Sequence, residues 1–217
     1  MNQLNVLIAD DHRMLRQGLR SLLEKEPDLR VAAEADNGRD AIAAAEGGGI
    51  DLIIMDIAMP GLNGIEAARK LLTVRPNLKI IGLSMHTDRR FVSEMLKAGA
   101  VGFVSKDSAF EELVSAIRTV LAGKVYLSPA AAGVVVDDYL RRNAPGEASA
   151  YSALTARERE VLQLMAEGRN TKQIAMDLHV SIKTVETHRR QIMEKLDLYS
   201  VAELTKYAIR EGLTTLA

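Results

Sequence analysis

A doubly wound α/β domain followed by a small all-α domain is what this sequence predicts. Three observations carry that expectation. Over roughly the first 120 residues, short continuous apolar runs alternate with helical patterns. Composition changes after Gly123, and from Leu154 onward the pattern is helical throughout. Runs that are apolar on both faces suit parallel strands covered by helices on either side.

The runs are Val6–Ala9, Val31–Ala33, Leu52–Met55, Ile80–Leu83 and Val101–Val104. Between and after them, apolar residues recur at helical spacing. They are Met14, Leu15, Leu19, Leu22 and Leu23; Ala41–Ala45; Ile65, Ala68, Leu71 and Leu72; Phe91, Val92, Met95 and Leu96; and Leu113, Val114, Ile117, Val120 and Leu121. Gly47-Gly48-Gly49, Pro76 and Gly99 punctuate the units. Five strands and five helices in alternation give residues 1–122 a flavodoxin-like (βα)5 organisation. Residues 123–150 read as a linker, with a short helix over Ala130–Arg142 and a flexible stretch over Asn143–Ala150. Residues 151–217 form the second domain. There Thr155 and Glu158 make a capping box, and Gly168 ends the first helix. Thr171 and Ser181 cap the next two helices, the third carrying Val185, Ile192 and Leu196, and a fourth runs through Val201, Leu204, Ala208 and Ile209. No internal repeat is present.

Composition excludes more than it selects. With 47% hydrophobic residues the chain is expected to fold around real cores. No apolar stretch is long enough for a bilayer, and the first residues lack the pattern of a signal peptide. Cysteine is absent, which excludes disulfides and thiolate metal sites and fits a cytoplasmic setting. The net charge is −1, and from Ala153 onward ten basic residues stand against nine acidic ones. So small an asymmetry says nothing for nucleic acid; placement of the charges has to decide.

Ligands of open α/β sheets bind beyond the carboxyl ends of the strands. The first run ends in Asp10-Asp11, the third in Asp56, the fourth in Ser84 and the fifth in Lys106. With strands ordered 2-1-3-4-5, three carboxylates converge at the switch point, with a hydroxyl and an ammonium beyond. Clustered carboxylates repel unless a cation joins them. All-oxygen ligation suits Mg2+, and a carboxylate can act as nucleophile toward phosphorus. Taken singly, each residue has an ordinary role: Asp10 and Asp11 as helix caps, Ser84 bonded to backbone, Lys106 solvated. The coincidence of four strand ends favours one chemistry.

These residues, with Met59-Pro60-Gly61 after Asp56, resemble a two-component receiver domain. The resemblance implies that Asp56 accepts a phosphoryl group from a sensor histidine kinase, while Asp10, Asp11 and Asp56 hold Mg2+. It implies that Ser84 and Phe103 reorient on phosphorylation and that Lys106 contacts the phosphoryl group. Two departures stand out. Asp107 follows Lys106 where many receivers have a proline with a cis bond, and Met85 follows Ser84 where many have a small residue. A bulky side chain there would hinder water and lengthen the life of the phosphoryl state.

In the second domain, short turns and the entry Ser181-Ile182-Lys183-Thr184 point to a helix-turn-helix. Its third helix turns Lys183, Thr184, Glu186, Thr187 and Arg190 outward, with His188 or Arg189 at the edge of the inner face. Charge alone favours an ordinary solvated face. Leu154-Thr155-Ala156-Arg157-Glu158-Arg159-Glu160-Val161-Leu162, Lys172-Gln173-Ile174-Ala175 and Ser181–His188 nevertheless resemble a LuxR-type DNA-binding domain. Together the two resemblances place the chain with NarL/FixJ-type response regulators. They imply contacts to double-stranded promoter DNA from Thr171, Lys172, Ser181, Lys183, Thr184, Glu186, Thr187, His188, Arg189 and Arg190. They also imply a homodimer on phosphorylation, with RNA polymerase as a further partner. The last helix, with Leu204, Tyr207, Ala208 and Gly212-Leu213 after it, is read either as the pairing segment or as packed within its own domain. Glu186 stands where many relatives carry lysine. A ligand-sensing regulator would share the DNA-binding domain, but its N-terminal half would not need this acidic triad. A phosphohydrolase usually wants an acid two residues after its nucleophile, where this chain has Ala58, and no Gly-x-Gly-x-x-Gly marks a nucleotide-binding enzyme.

Overall fold

The computed structural model describes residues 3–85, 89–108, 110–141 and 153–214. The chain divides into two compact units, Met1–Ala144 and Pro145–Ala217. In the first, strands β1 (Leu4–Ala9), β2 (Leu29–Ala35), β3 (Leu52–Asp56), β4 (Lys79–Ser84), β5 (Gly102–Ser105) and β6 (Tyr126–Leu127) form one parallel sheet in the order β2-β1-β3-β4-β5-β6. Helices α1 (Arg13–Leu23), α2 (Gly38–Glu46), α3 (Gly64–Val74), α4 (Arg89–Lys97) and α5 (Phe110–Leu121) alternate with the first five strands. The strand order reverses between β1 and β3, as the flavodoxin-like expectation required.

The strands are apolar on both faces because both are covered. Val6, Ile8, Leu52, Ile54, Leu83 and Val104 pack with Leu19 and Leu23 of α1 and with Leu113, Ile117 and Val120 of α5. Alternate positions, Leu7, Ile53, Met55 and Ile80, are buried on the opposite face. Phe103 is fully buried there. Its ring lies beside Gly82, where an added Cβ would come within 3.3 Å of Phe103 Cδ2 and 2.9 Å of Met95 Cγ. A glycine in the middle of β4 thus makes room for an aromatic in β5.

Residues 123–141, expected as linker with a short helix, carry two elements of the first unit. Tyr126–Leu127 adds β6 alongside β5, and α6 (Pro129–Arg141) packs against α4. The sixth strand has only two residues, too few for a periodic signal. The amide of Ser128 donates to the Phe103 carbonyl at 3.0 Å, and the Tyr126 hydroxyl reaches Glu112 at 3.2 Å. The flexible stretch expected over 143–150 lies outside the described residues.

The second unit holds α7 (Ala156–Ala166), α8 (Thr171–Asp177), α9 (Ile182–Leu196) and α10 (Val201–Arg210) around Leu154, Val161, Leu162, Ile174, Val185, Ile192 and Leu204. Thr155 and Glu158 form the expected capping box, Gly168 follows α7 at φ +81°, and Ser181 caps α9. The cap of α8 is corrected. Asn170, not Thr171, accepts from the Gln173 amide, and Gln173 reciprocates. Asn170 sits one residue earlier, so Thr171 falls inside the first turn and its hydroxyl accepts from Arg189 instead.

The turn Met59–Gly64 explains its own glycines. Gly61 adopts φ +73° with open space around it, so its requirement is purely conformational. Gly64 has an ordinary φ, but a Cβ there would collide with the Asp56 carbonyl oxygen and meet Met55 Cγ at 2.9 Å. That close approach lets α3, capped by Asn63, start hard against the end of β3. Gly61→Ala should therefore cost about 1 kcal/mol of stability. Gly64→Ala should cost about 3 kcal/mol, the upper range for forced overpacking. Urea unfolding of the two variants checks this order; equal losses would refute it.

Candidate functional site

The register of the sheet builds the site. Ala9 pairs with Met55 and Asp56 with Leu83, so Asp10 and Asp56 emerge side by side at the carboxyl ends of β1 and β3, with Ser84 one residue beyond the partner of Asp56. Ser84 pairs with Ser105, and the Lys106 amide donates to the Ser84 carbonyl at 2.8 Å. From there the Lys106 side chain reaches back across the sheet end. Its Nζ stands 2.8 Å from Asp56 Oδ2 and 2.8 Å from Asp10 Oδ2. The Asp56 contact is an aligned hydrogen bond; the Asp10 contact is an ion pair out of line for one.

Asp10, Asp56 and Lys106 have almost no exposure, whereas the Asp11 side chain is 34% exposed at the mouth. Neither aspartate caps α1. His12 occupies that position and no side chain bonds the helix amides. Asp10 Oδ1 instead accepts from the His12 amide at 2.8 Å, and Asp56 Oδ1 accepts from the Ala58 amide at 3.3 Å. Carboxyl ligand atoms of Asp10, Asp11 and Asp56 and a ring nitrogen of His12 all lie within 4.8 Å of one another. Burial pushes the Asp56 carboxyl above the ordinary carboxylate range; Lys106 opposes this and Asp10 adds to it. Burial pulls the Lys106 ammonium down, but Asp56 and Asp10 outweigh it and leave its pKa above the usual lysine value.

Four of the five residues expected here, Asp10, Asp11, Asp56 and Lys106, are thus drawn into one cluster. Ser84 is buried on the neighbouring strand, Met85 is exposed at its end, and Phe103 is turned inward. Among the described residues no peptide bond is cis, the Lys106–Asp107 bond included. Sequence reasoning passed over His12, the Ala58 amide and Arg16, which pairs with Glu34 at 3.0 Å and donates to the Asp10 carbonyl. A histidine directly after two strand-end aspartates was a readable signal; a backbone amide was not.

In the second unit, α9 exposes Lys183, Glu186 and Arg190 and half-buries Thr184, Thr187, His188 and Arg189. Ser181 and Thr184 share a hydroxyl contact at 2.8 Å, and Thr187 bonds the Lys183 carbonyl. Arg189 points back to Thr171 at 2.9 Å, joining α9 to α8, while Lys172 remains exposed. Burial raises the Glu158 carboxyl, yet Lys195 and the Thr155 cap outweigh it and hold it below its usual range. Of the two readings of the last helix, packing within its own domain is the one seen for Leu204, Ala208 and Leu213, which are buried in the domain core. The exposed apolar residues nearby are Tyr199 and Val201.

Comparison with known proteins bears on both units. The family model for the response regulator receiver domain matches residues 6–118, and that for bacterial regulatory proteins of the luxR family matches residues 152–208. The response regulator UvrY of Escherichia coli strain K12 is 36% identical over 211 residues, covering 97% of this chain and 95% of the relative. The chain belongs to the NarL/FixJ-type response regulators.

Another relative of this response regulator is the oxygen regulatory protein NreC of Staphylococcus carnosus, 36% identical over 214 residues, covering 97% of this chain and 99% of NreC. The structure of RcsB from Salmonella enterica serovar Typhimurium, bound to promoter rprA in the presence of phosphomimetic BeF3−, matches with a TM-score of 0.63. It is 27% identical and covers 95% of this chain and 98% of that one. The present chain is therefore a DNA-binding two-component response regulator: a receiver followed by a LuxR-type helix-turn-helix. No helix among the described residues is long and apolar enough to cross a membrane.

The raised Asp56 pKa sets a direction for stability. A carboxyl raised on folding favours the folded state below the ordinary carboxylate range, and that advantage is lost as pH climbs through its raised value. Asp56→Asn should therefore gain stability at pH 7, on the order of 1 kcal/mol, with Lys106 still paired to Asp10. The gain should vanish once the solution is acid enough to protonate Asp56 in both states. Thermal melts of wild type and variant from about pH 2.5 to 8 check it, and a loss at pH 7 would refute it.

Proposed function

We propose that Asp56 is the phosphoacceptor of a switch operated by a sensor histidine kinase. The observation that carries the reading is the Lys106 ammonium lodged 2.8 Å from both Asp56 and Asp10 at the switch point of the sheet. A carboxylate oxygen of Asp56 forms a bond to phosphorus as the donor's P–N bond breaks. The electron pair leaves with the imidazole nitrogen, which takes up a proton. Lys106 places positive charge beside the equatorial oxygens, where charge accumulates in such a transfer. Ser84, buried at the end of β4, is the hydroxyl that would meet the phosphoryl group, and Phe103 the aromatic that moves with it.

The residues fit a hard divalent cation. Their donors include three carboxylates drawn together against one ammonium, and Asp11 opens to solvent. Mg2+ held by Asp10, Asp11 and Asp56 would offset the carboxylate repulsion and the charge of the incoming phosphoryl group. The chain is read as a phosphoacceptor regulator, supporting only its own phosphotransfer and dephosphorylation.

In this reading the receiver is residues 1–122 with β6 and α6 added to it, the remainder of 123–150 is the linker and 151–217 the DNA-binding domain. Lys172, Lys183 and Arg190 supply phosphate grip or base contacts, and Glu186 accepts from cytosine. Thr171, Ser181, Thr184, Thr187, His188 and Arg189 complete the surface that meets promoter DNA. Phosphorylation releases α9 from a hindering receiver and favours a homodimer; RNA polymerase is a further partner. The absence of cysteine supports a cytoplasmic place.

Intact mass after incubation with a small-molecule phosphodonor should show one phosphoryl adduct that requires both Mg2+ and Asp56 and is absent from Asp56→Asn. Steady phosphatase turnover instead would favour a phosphohydrolase. Met85 is exposed at the end of β4. Its replacement by alanine should shorten the adduct's life several-fold, and a longer life would refute the shielding role. The isolated 150–217 fragment, which has its own core, should bind selected operator DNA more tightly than the unphosphorylated full chain. Equal affinities would rule out the hindered state.

A further inference from the structure

The carboxylate cluster has two sides. Lys106 occupies the Oδ2 atoms of Asp10 and Asp56. The Oδ1 atoms are left to backbone amides: His12 N to Asp10 at 2.8 Å and Ala58 N to Asp56 at 3.3 Å. The His12 imidazole stands on that same Oδ1 side. Its Nδ1 is 2.8 Å from Asp11 Oδ1 and 3.3 Å from Asp10 Oδ1.

We infer that His12 is a protein ligand of the divalent cation, and that its ring nitrogen tilts the site toward Mn2+ over Mg2+. The inference deepens the proposed function and rests on its reading of Asp10, Asp11 and Asp56 as cation ligands. Three features of the structure converge on it. First, the separations are right. Neighbouring corners of an octahedron with bonds of about 2.1 Å lie about 3.0 Å apart, and the two Nδ1–Oδ1 separations bracket that spacing. Second, the imidazole is rooted rather than drifting. The His12 amide is tied to the same Asp10 Oδ1, and Arg16 holds the Asp10 carbonyl from α1. Third, among the described residues the only polar contacts the ring makes are with the carboxylates that would share the cation. It stands at the N-terminus of α1 without capping it, and its side chain is 66% exposed, so Nε2 can carry the proton into water when Nδ1 is a ligand.

With no cation bound, Nδ1–H donates to the carboxylates; with one bound, the other tautomer turns the Nδ1 lone pair inward. That exchange explains how one imidazole serves a cluster of three carboxylates in both states. The chemical consequence is selectivity. Mg2+ prefers oxygen and gains little from imidazole, while Mn2+ and the later divalent ions accept nitrogen readily. An all-oxygen site lacks that discrimination.

The test uses the full chain and Mn2+ as probe. Pulsed electron paramagnetic resonance of bound Mn2+ should show the nitrogen-14 coupling of a directly bound imidazole in wild type and none in His12→Ala. By calorimetry, His12→Ala should weaken Mn2+ roughly 10-fold and Mg2+ less than 3-fold. Mn2+ bound without nitrogen coupling, or parallel losses for both ions, would show that His12 only positions carboxylates. The inference would then fall while the phosphoacceptor reading stood. Failure of wild type to bind either ion at millimolar concentration would overturn both.

Discussion

Two buried carboxylates facing one another across adjacent strands are the constraint around which the receiver is arranged. Asp10 and Asp56 both lie at the ends of central strands with almost no exposure. Neither can stay charged there without a counter-charge. Lys106 supplies it from the far side of β4, and for that its strand must end level with theirs. Register and strand order both serve this approach. The turn after Asp56 serves it too: Gly64 lets α3 start against the Asp56 carbonyl, while the Ala58 amide in the turn bonds the carboxylate. One ammonium against three nearby aspartates leaves the cluster under-compensated, the deficit that the proposed cation and phosphoryl chemistry would draw on.

Much of this was legible in the sequence. Strands covered on both faces are apolar without alternation, so Leu52–Met55 and Ile80–Leu83 could be read directly. A polar residue that ends such a run must stand at the rim of the sheet. Asp10, Asp56, Ser84 and Lys106 could therefore be placed together before any coordinates. Features set by tertiary contact were not legible. Nothing local distinguishes Gly82 from a weak strand residue, since its reason is the Phe103 ring on β5. Tyr126–Leu127 is too short to show a period. Asn170 and Thr171 are both good caps; the reciprocal bonds between Asn170 and Gln173 decide for Asn170, and Thr171 accepts from Arg189 instead.

The same contacts show how far the receiver extends. The outer edge of β5 is closed by β6, whose successor Ser128 takes the Phe103 carbonyl, and α6 then lies against α4. Phe103 is thus enclosed by Gly82 and Met95 within the fold and by the backbone that leads to the linker. A ring packed this tightly cannot turn without displacing neighbours. The chain after α5 is joined to β5 by hydrogen bonds at the very residue expected to reorient.

Charge placement in the second domain follows a different logic. Its net charge of +1 from Ala153 onward is too small to draw it to a polyanion. Of the cations on α9, Arg189 is turned inward to Thr171 and Lys195 is taken by Glu158, so both reinforce the helical scaffold. Lys183 and Arg190 are exposed along α9 with Glu186 between them in sequence, a mixed surface rather than a basic one. Such a surface gains little from any phosphate backbone by charge alone. Its discrimination has to come from which bases accept an arginine and tolerate a carboxylate, so one copy of the domain would hold DNA weakly.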